Sequence, residues 1–257
     1  MDYVIICIIS LIGSALTLFS GFGLGTLLLP VFGLFFPIEI AIILTSIVHF
    51  LNNFLKLFVF GKYANKNIIL TFGIPAILFA FFGAYTLKTL STMSPLFNYT
   101  IAGKAFIVMP IKLIIGILLF VFSLIEFIPK YKNLSFDKKN LPIGGALSGF
   151  FGGISGHQGA LRSAFLIRTD LSKEAFIATG VCIACMVDVS RLSVYIPQII
   201  ENKINLDYKL LLLATLSAFS GVYFGNKLLQ KTTITTIQNI VAVMLMLYAV
   251  LLIIGIL

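Results

Sequence analysis

The chain has 257 residues, of which 60% are hydrophobic and 11% charged, and its mean hydropathy is +1.10. A soluble domain of this size carries roughly 25% charged residues, so the composition excludes a soluble protein and defines an integral membrane protein surrounded by a lipid bilayer. The net charge of +9 would point to nucleic acid in a soluble chain. Here the basic residues sit mostly in short loops between apolar runs, which is how orientation signals are distributed, and no nucleic-acid partner is expected.

Apolar segments run over 3–36, 38–60, 68–88, 107–128, 141–167, 174–197, 207–228 and 235–257. This predicts an all-α polytopic membrane protein of about eight segments, most near the ~20 residues a spanning helix needs. The first has no Lys or Arg before it and continues past signal-peptide length, so it reads as part of the mature protein. It is longer than one span, and Ser20-Gly21-Phe22-Gly23-Leu24-Gly25 divides it. The fifth is divided by Gly152 to Gly159, leaving pieces too short to cross alone. Clustered glycines predict interrupted helices, because glycine loses the most freedom on folding but tolerates positive φ and close backbone approach. In lipid such an interruption is tolerated only where protein or a wet cavity surrounds it. Broken segments in matching positions of two halves point to a transporter's substrate site.

The halves repeat. Ser20-Gly21 matches Ser155-Gly156, Glu39 matches Glu174, and Lys56 matches Arg191, all at an offset of 135. Ala80-Phe81-Phe82-Gly83-Ala84-Tyr85 matches Ala218-Phe219-Ser220-Gly221-Val222-Tyr223 at an offset of 138. The three extra residues fall in an intervening loop, where insertions are tolerated. The predicted organisation is a first membrane repeat over 1–128, a basic connecting loop over 129–140 and a second repeat over 141–257.

Loop charges choose between two topologies. If all eight segments cross, the fifteen basic loop residues divide eight against seven. If segments one and five instead enter and return on one side, ten lie on one face: Lys62, Lys66, Lys130, Lys132, Lys138, Lys139, Arg168, Lys173, Lys227 and Lys231. Only Lys88, Lys104, Lys112, Lys203 and Lys209 lie on the other. The positive-inside rule favours the second arrangement, with both termini outside, three crossings per half and inverted repeats.

Several polar residues stand out within the apolar segments. Lys56 and Arg191 each lie three residues after a polar group, Asn53 and Asp188, and i and i+3 share a helix face. Ionisable groups inside membrane helices are functional candidates because desolvation disfavours them; the alternative is that both snorkel from helix ends. His157, Gln158 and Arg162 cluster at the second break. Freed N–H groups at a half-helix start favour an anion, an arginine fork suits an oxyanion, and His157 is the proton-sensitive group. The alternative for Arg162 is a topology signal at the cytoplasmic mouth. His49, Asn52 and Asn53 lie on the second segment, with His49 and Asn53 at i and i+4, and are candidates for the same cavity; His49 is a weaker candidate than His157. Glu39 and Glu174 begin helices as dipole partners. Gly83 and Gly221 allow close helix packing.

The glycine-rich run Gly21-Phe22-Gly23-Leu24-Gly25 ending at Pro30, the second cluster Gly152-Gly153-Ile154-Ser155-Gly156 and the two-half layout resemble the sulfite exporter TauE/SafE family, also called TSUP permeases. The resemblance spans essentially the whole chain. It implies a carrier, usually an exporter, of sulfite or organosulfur anions such as sulfonates. One departure is the second break, Gly156-His157-Gln158-Gly159-Ala160-Leu161-Arg162-Ser163, where the family often carries a glycine-rich run followed by Pro.

The expected function is a secondary transporter of a small anion working by alternating access, with a proton or other ion as a possible coupling partner. Substrate contacts are expected from Gly21, Gly23, Gly25, Asn53, Lys56, Gly156, His157, Gln158, Arg162, Asp188 and Arg191. There is no Gly-x-x-x-x-Gly-Lys run for a nucleotide. Two histidines without His-x-x-x-His, His-Glu-x-x-His or Gly-x-Ser-x-Gly argue against an enzyme. Cys182-Ile-Ala-Cys185 has metal spacing but no second ligand pair, so it and Cys7 read as packing residues, and no cofactor or metal is expected. A channel or a non-transporting assembly partner remains the alternative.

Overall fold

The structure is a computed structural model that describes residues 2–17, 23–132, 134–201, 206–228 and 234–257. The first apolar segment forms α1 (Asp2–Thr17) and α2 (Leu24–Gly33), and the second α3 (Ile38–Phe60). A short α4 (Lys66–Ile68) and a π-helical turn over Ile69–Gly73 lead into α5 (Ile74–Ser91). Strands β1 (Phe97–Ile101) and β2 (Lys104–Val108) precede α6 (Pro110–Phe127) and a short α7 (Pro129–Lys132). The fifth segment forms α8 (Leu141–Ser155) and α9 (Gly159–Leu166), followed by α10 (Lys173–Ile200), α11 (Tyr208–Leu228) and α12 (Ile234–Ile253). Helix starts carry local signals. Pro stands in the first turn of α5, α6 and α8, where its missing N–H does no harm. The Ser172 hydroxyl accepts from the Ala175 N–H at the start of α10.

Five helices among the described residues are long and apolar enough to cross a membrane: α3 with the turn after it, α4 continuing into α5, α6, α10 and most of α11. The surface is inverted relative to a soluble protein. Phe58 is 76% exposed whereas Arg191 is fully buried, so the outer face suits lipid and the polar groups point inward.

The β-hairpin lies almost wholly between the third and fourth apolar segments, a strand pair within an otherwise helical fold. Its register pairs Phe97 with Val108 and Ile101 with Lys104. Ala102 and Gly103 both have positive φ, 51° and 78°, the requirement of a two-residue hairpin turn whose twist matches its strands. Tyr99 stacks on Phe106 with ring centroids 5.3 Å apart, and its hydroxyl donates to the Ile254 carbonyl.

Helix packing follows a repeating pattern. A Cβ on Gly145, Gly149 or Gly153 of α8 would fall 2.1–2.3 Å from the carbonyl oxygens of Phe72, Ala76 and Ala80 respectively. The numbers rise together, so α8 runs parallel to α5 with backbones in contact. In the equivalent pair, Gly221 and Gly225 of α11 meet Leu11 and Ala15 of α1 in the same sense. By contrast, α3 and α10 are antiparallel, since His49 bonds to Asp188 and Asn65 to Thr179. Helices α6 and α12 are antiparallel too: Gly116 packs on Ala249, and Ile107, just before α6, packs on Gly255.

The basic connecting loop lies at the same end as the start of α10. Arg168 donates to Asp137 at 3.0 Å and Lys138 to Asp170 at 2.6 Å; both pairs are exposed, so they register the loop more than they stabilise it. At the opposite end the Tyr3 hydroxyl donates to the Asp207 carboxylate, which also accepts from the Leu210 N–H. These bonds hold the Asp207 carboxyl below its usual range, the Tyr3 contact first.

Candidate functional site

The fifth segment is broken where the sequence predicts. Gly156 ends α8 with φ 78°, a left-handed cap that glycine adopts without strain. The chain then turns back. Gly156 lies against Arg191, with its Cβ position 2.8 Å from Nη1, while six residues on Arg162 lies against Gly180. Helix α9 therefore descends along α10 toward the end from which α8 rose. Gly156→Ala is expected to lower the thermal midpoint of the purified protein, since left-handed φ costs an L-residue about 1–2 kcal/mol and Arg191 must also move.

The two breaks meet. A Cβ at Gly25 would stand 3.6 Å from the Gly156 carbonyl oxygen, and one at Gly23 would stand 3.5 Å from His49 Nε2. Gly21, with Ser20 and Phe22, lies outside the described residues. Helices α2 and α9 begin here with Gly23 and Gln158 at their caps, and neither has a side-chain cap. Two positive helix ends thus converge on one point.

Beside this point is a cavity of about 100 Å³ whose mixed lining includes Gly23, His49, Asn53, Lys56, Arg162 and Lys173 together with Leu166, Phe176 and Val181. A single water needs roughly 10–15 Å³, so the space has room for a few waters or one small solute. Lys173, the first residue of α10, marks the basic end as its mouth. Lys56 is 4% exposed, so it faces the interior rather than snorkelling to the interface. Among the described residues neither Lys56 nor Arg162 has an acid within ion-pair distance, and Arg162 Nη1 is buried without a hydrogen-bond partner.

Behind the cavity lies a charge network that ties α3 to α10. Asp188 Oδ1 accepts from Arg191 Nε at 2.9 Å and Nη2 at 2.6 Å. Its Oδ2 lies 2.6 Å from His49 Nδ1. Asp188 and Arg191 are both fully buried, so the pair is held by complementary partners rather than by solvent. Tyr195, one turn beyond Arg191, is also buried and donates to the Gly153 carbonyl at 3.4 Å.

Of the residues singled out in the sequence, Gly23, Asn53, Lys56 and Arg162 line the cavity. Gly25 and Gly156 join the breaks, and Asp188 with Arg191 forms the network behind. His157 and Gln158 are buried but do not line this cavity. His157 Nδ1 faces the Ser155 carbonyl at 3.2 Å, and the Gln158 carbonyl accepts from the Ser148 hydroxyl at 3.2 Å. His49, rated below His157 from sequence, is the imidazole in the cavity wall. Its signal was the i, i+4 pairing with Asn53 in an otherwise apolar helix. Ser14 Oγ donating to Asn52 Oδ1 at 2.9 Å was not foreseen. Among the described residues no group of three His, Cys, Asp or Glu side chains is placed to hold a metal ion.

An array of apolar membrane-length helices around buried cations defines a multi-pass integral membrane protein of the transporter class. The family model described as sulfite exporter TauE/SafE matches residues 5–252, and the chain belongs to that family. The family comprises membrane transporters, not enzymes, and implies transport of sulfite or a related anion. No curated protein matches the sequence.

Proposed function

We propose that the protein carries a small oxyanion of the sulfite, sulfonate or thiosulfate class across the cell membrane by alternating access, with its substrate held in the cavity beside the two helix breaks. The observation that carries this proposal is the convergence of two uncapped helix starts with the buried Lys56 and the half-buried Arg162, neither of which has an acid within ion-pair distance among the described residues. Buried unpaired charge is strongly disfavoured, so such a site is maintained for an anion that completes it. The cavity opens toward the end rich in Lys and Arg, which the positive-inside rule assigns to the cytoplasm; this form presents the site inward, as an exporter loading its substrate requires.

The helix pairings support two inverted repeats. Equivalent segments run antiparallel across α3/α10 and α6/α12, and the first segment of each half lies parallel to the third of the other. A two-fold axis in the membrane plane generates these relations, and rocking such halves exposes one site to each side in turn.

The test is thermal stabilisation of purified protein by sulfite, thiosulfate, sulfonates and carboxylates, paired with flux into proteoliposomes. At an anion concentration 100 times Kd the wild type should gain about 2.7 kcal/mol. Lys56→Gln combined with Arg162→Gln should lose that gain and the flux, yet be no less stable without anion, because two charges without an acid at ion-pair distance, one of them buried, have been removed. Unchanged anion response in the double variant would overturn the site assignment.

A further inference from the structure

We propose that His49 couples anion binding to a proton: its Nε2 takes up one proton when an anion enters the cavity and releases it when the anion leaves. This rests on the anion site proposed above and adds a second ligand to it.

The tautomer follows from the partners. Asp188 is a carboxylate accepting two hydrogen bonds from Arg191 on Oδ1, so the 2.6 Å contact between Oδ2 and His49 Nδ1 requires the ring hydrogen on Nδ1. In the neutral ring Nε2 then holds a lone pair. The Asn53 amide nitrogen lies 3.1 Å from Nε2 and 3.2 Å from Nδ1. Being nearly equidistant from both, it rests against the ring face and lies along neither lone-pair direction. The Nε2 side is bordered by Gly23, which offers no side chain, and His49 is part of the cavity wall. One ring nitrogen is therefore anchored to Asp188, and the other is presented to whatever fills the cavity.

The surrounding charges make the two ligands cooperative. Helix α3 contributes Lys56; α10 contributes Asp188, Arg191 and the Cys185 thiol; α9 contributes Arg162; Lys173 stands at the rim. Helix α2 contributes no titratable group. Arg191 already engages the Asp188 charge, and in the empty cavity Lys56 opposes charging the ring. A bound anion offsets that cation, and Arg162 beside it, and accepts a hydrogen bond from a protonated Nε2, while Nδ1–H stays on Asp188. Anion and proton thus favour each other, and the linkage is reciprocal. Charge balances at each step: one proton enters from solvent with the anion and leaves with it.

The experiment is titration calorimetry of the purified protein with sulfate and thiosulfate, in buffers of different ionisation enthalpy. Sulfite itself titrates near neutral pH, so it is not used. Wild type should take up close to one proton per anion, and its affinity should fall by up to roughly tenfold per pH unit above the imidazole range. His49→Gln, whose amide still donates to Asp188, should bind without proton uptake and with affinity that is flat between about pH 6 and pH 7. A second measurement does not depend on how that variant folds. The chain has two histidines, so in histidine-labelled His157→Gln protein a single imidazole signal remains, and sulfate should convert it from neutral to protonated. Proton uptake that persists in His49→Gln, or an imidazole that stays neutral with sulfate bound, overturns the coupling and leaves the anion site standing. Failure of wild type to bind either anion overturns both.

Discussion

Asp188→Ala is expected to be the most damaging single substitution in the protein, lowering stability by about 3–5 kcal/mol, the usual loss when one partner of a buried ion pair is removed. The geometry explains why. Arg191 is fully buried, and its Nε and Nη2 both donate to one Asp188 oxygen. Without that carboxylate the guanidinium keeps its charge at any accessible pH and has no water to turn to. His49 loses its anchor in the same step, so α3 and α10 lose their central polar tie. The diagnostic result is the double variant: Asp188→Ala with Arg191→Met should recover much of the lost thermal midpoint, because it removes the stranded charge along with its partner. A midpoint for the double variant at or below the sum of the two single losses would show that the pair is not the energetic unit described here.

Gly149→Val is the second large effect, and its cause is steric. A Cβ at Gly149 would lie 2.1 Å from the Ala76 carbonyl oxygen, and both atoms belong to helix backbones, so no rotamer change relieves the clash. The α5/α8 pair must separate along a row that includes Gly145 and Gly153. Overpacking of a core generally costs about 1–3 kcal/mol and occasionally more; with backbone on both sides, the upper part of that range or beyond is expected. Gly61→Ala is the matching control. Its Cβ would meet only the Leu57 Cδ2 at 3.9 Å, in a right-handed conformation. That change should be neutral or stabilising by roughly 0.4–1 kcal/mol. Melting curves in one detergent compare all three proteins directly.

The membrane class, the helical segments and the break at Gly156 were legible in the sequence because each depends on local properties. Hydropathy over a helix length is a sum over neighbours in the chain, and a glycine cluster marks a weak helix wherever it lies. The hairpin was less visible, since Phe97 to Val108 falls almost wholly between two apolar segments, where hydropathy alone defines no element. What separates it is the two positive-φ residues Ala102 and Gly103, and only glycine announces that conformation in advance. The row Ala76, Ala80 and Gly83, repeated as Ala214, Ala218 and Gly221, was read in part as packing glycines, but its partners on α8 and α1 were not evident.

By itself, then, the sequence established that the chain lives in a bilayer, where its helices break, and that basic groups lie within them. It did not determine which polar groups meet. His49 and His157 were both histidines near polar neighbours, and sequence favoured the one at the break. Tertiary packing turns His157 Nδ1 toward the Ser155 carbonyl and brings His49 against Asp188, 139 residues away in the chain. The physical reason is that hydrophobicity is set by each side chain alone, whereas the partner of a buried charge is set by which helix faces it.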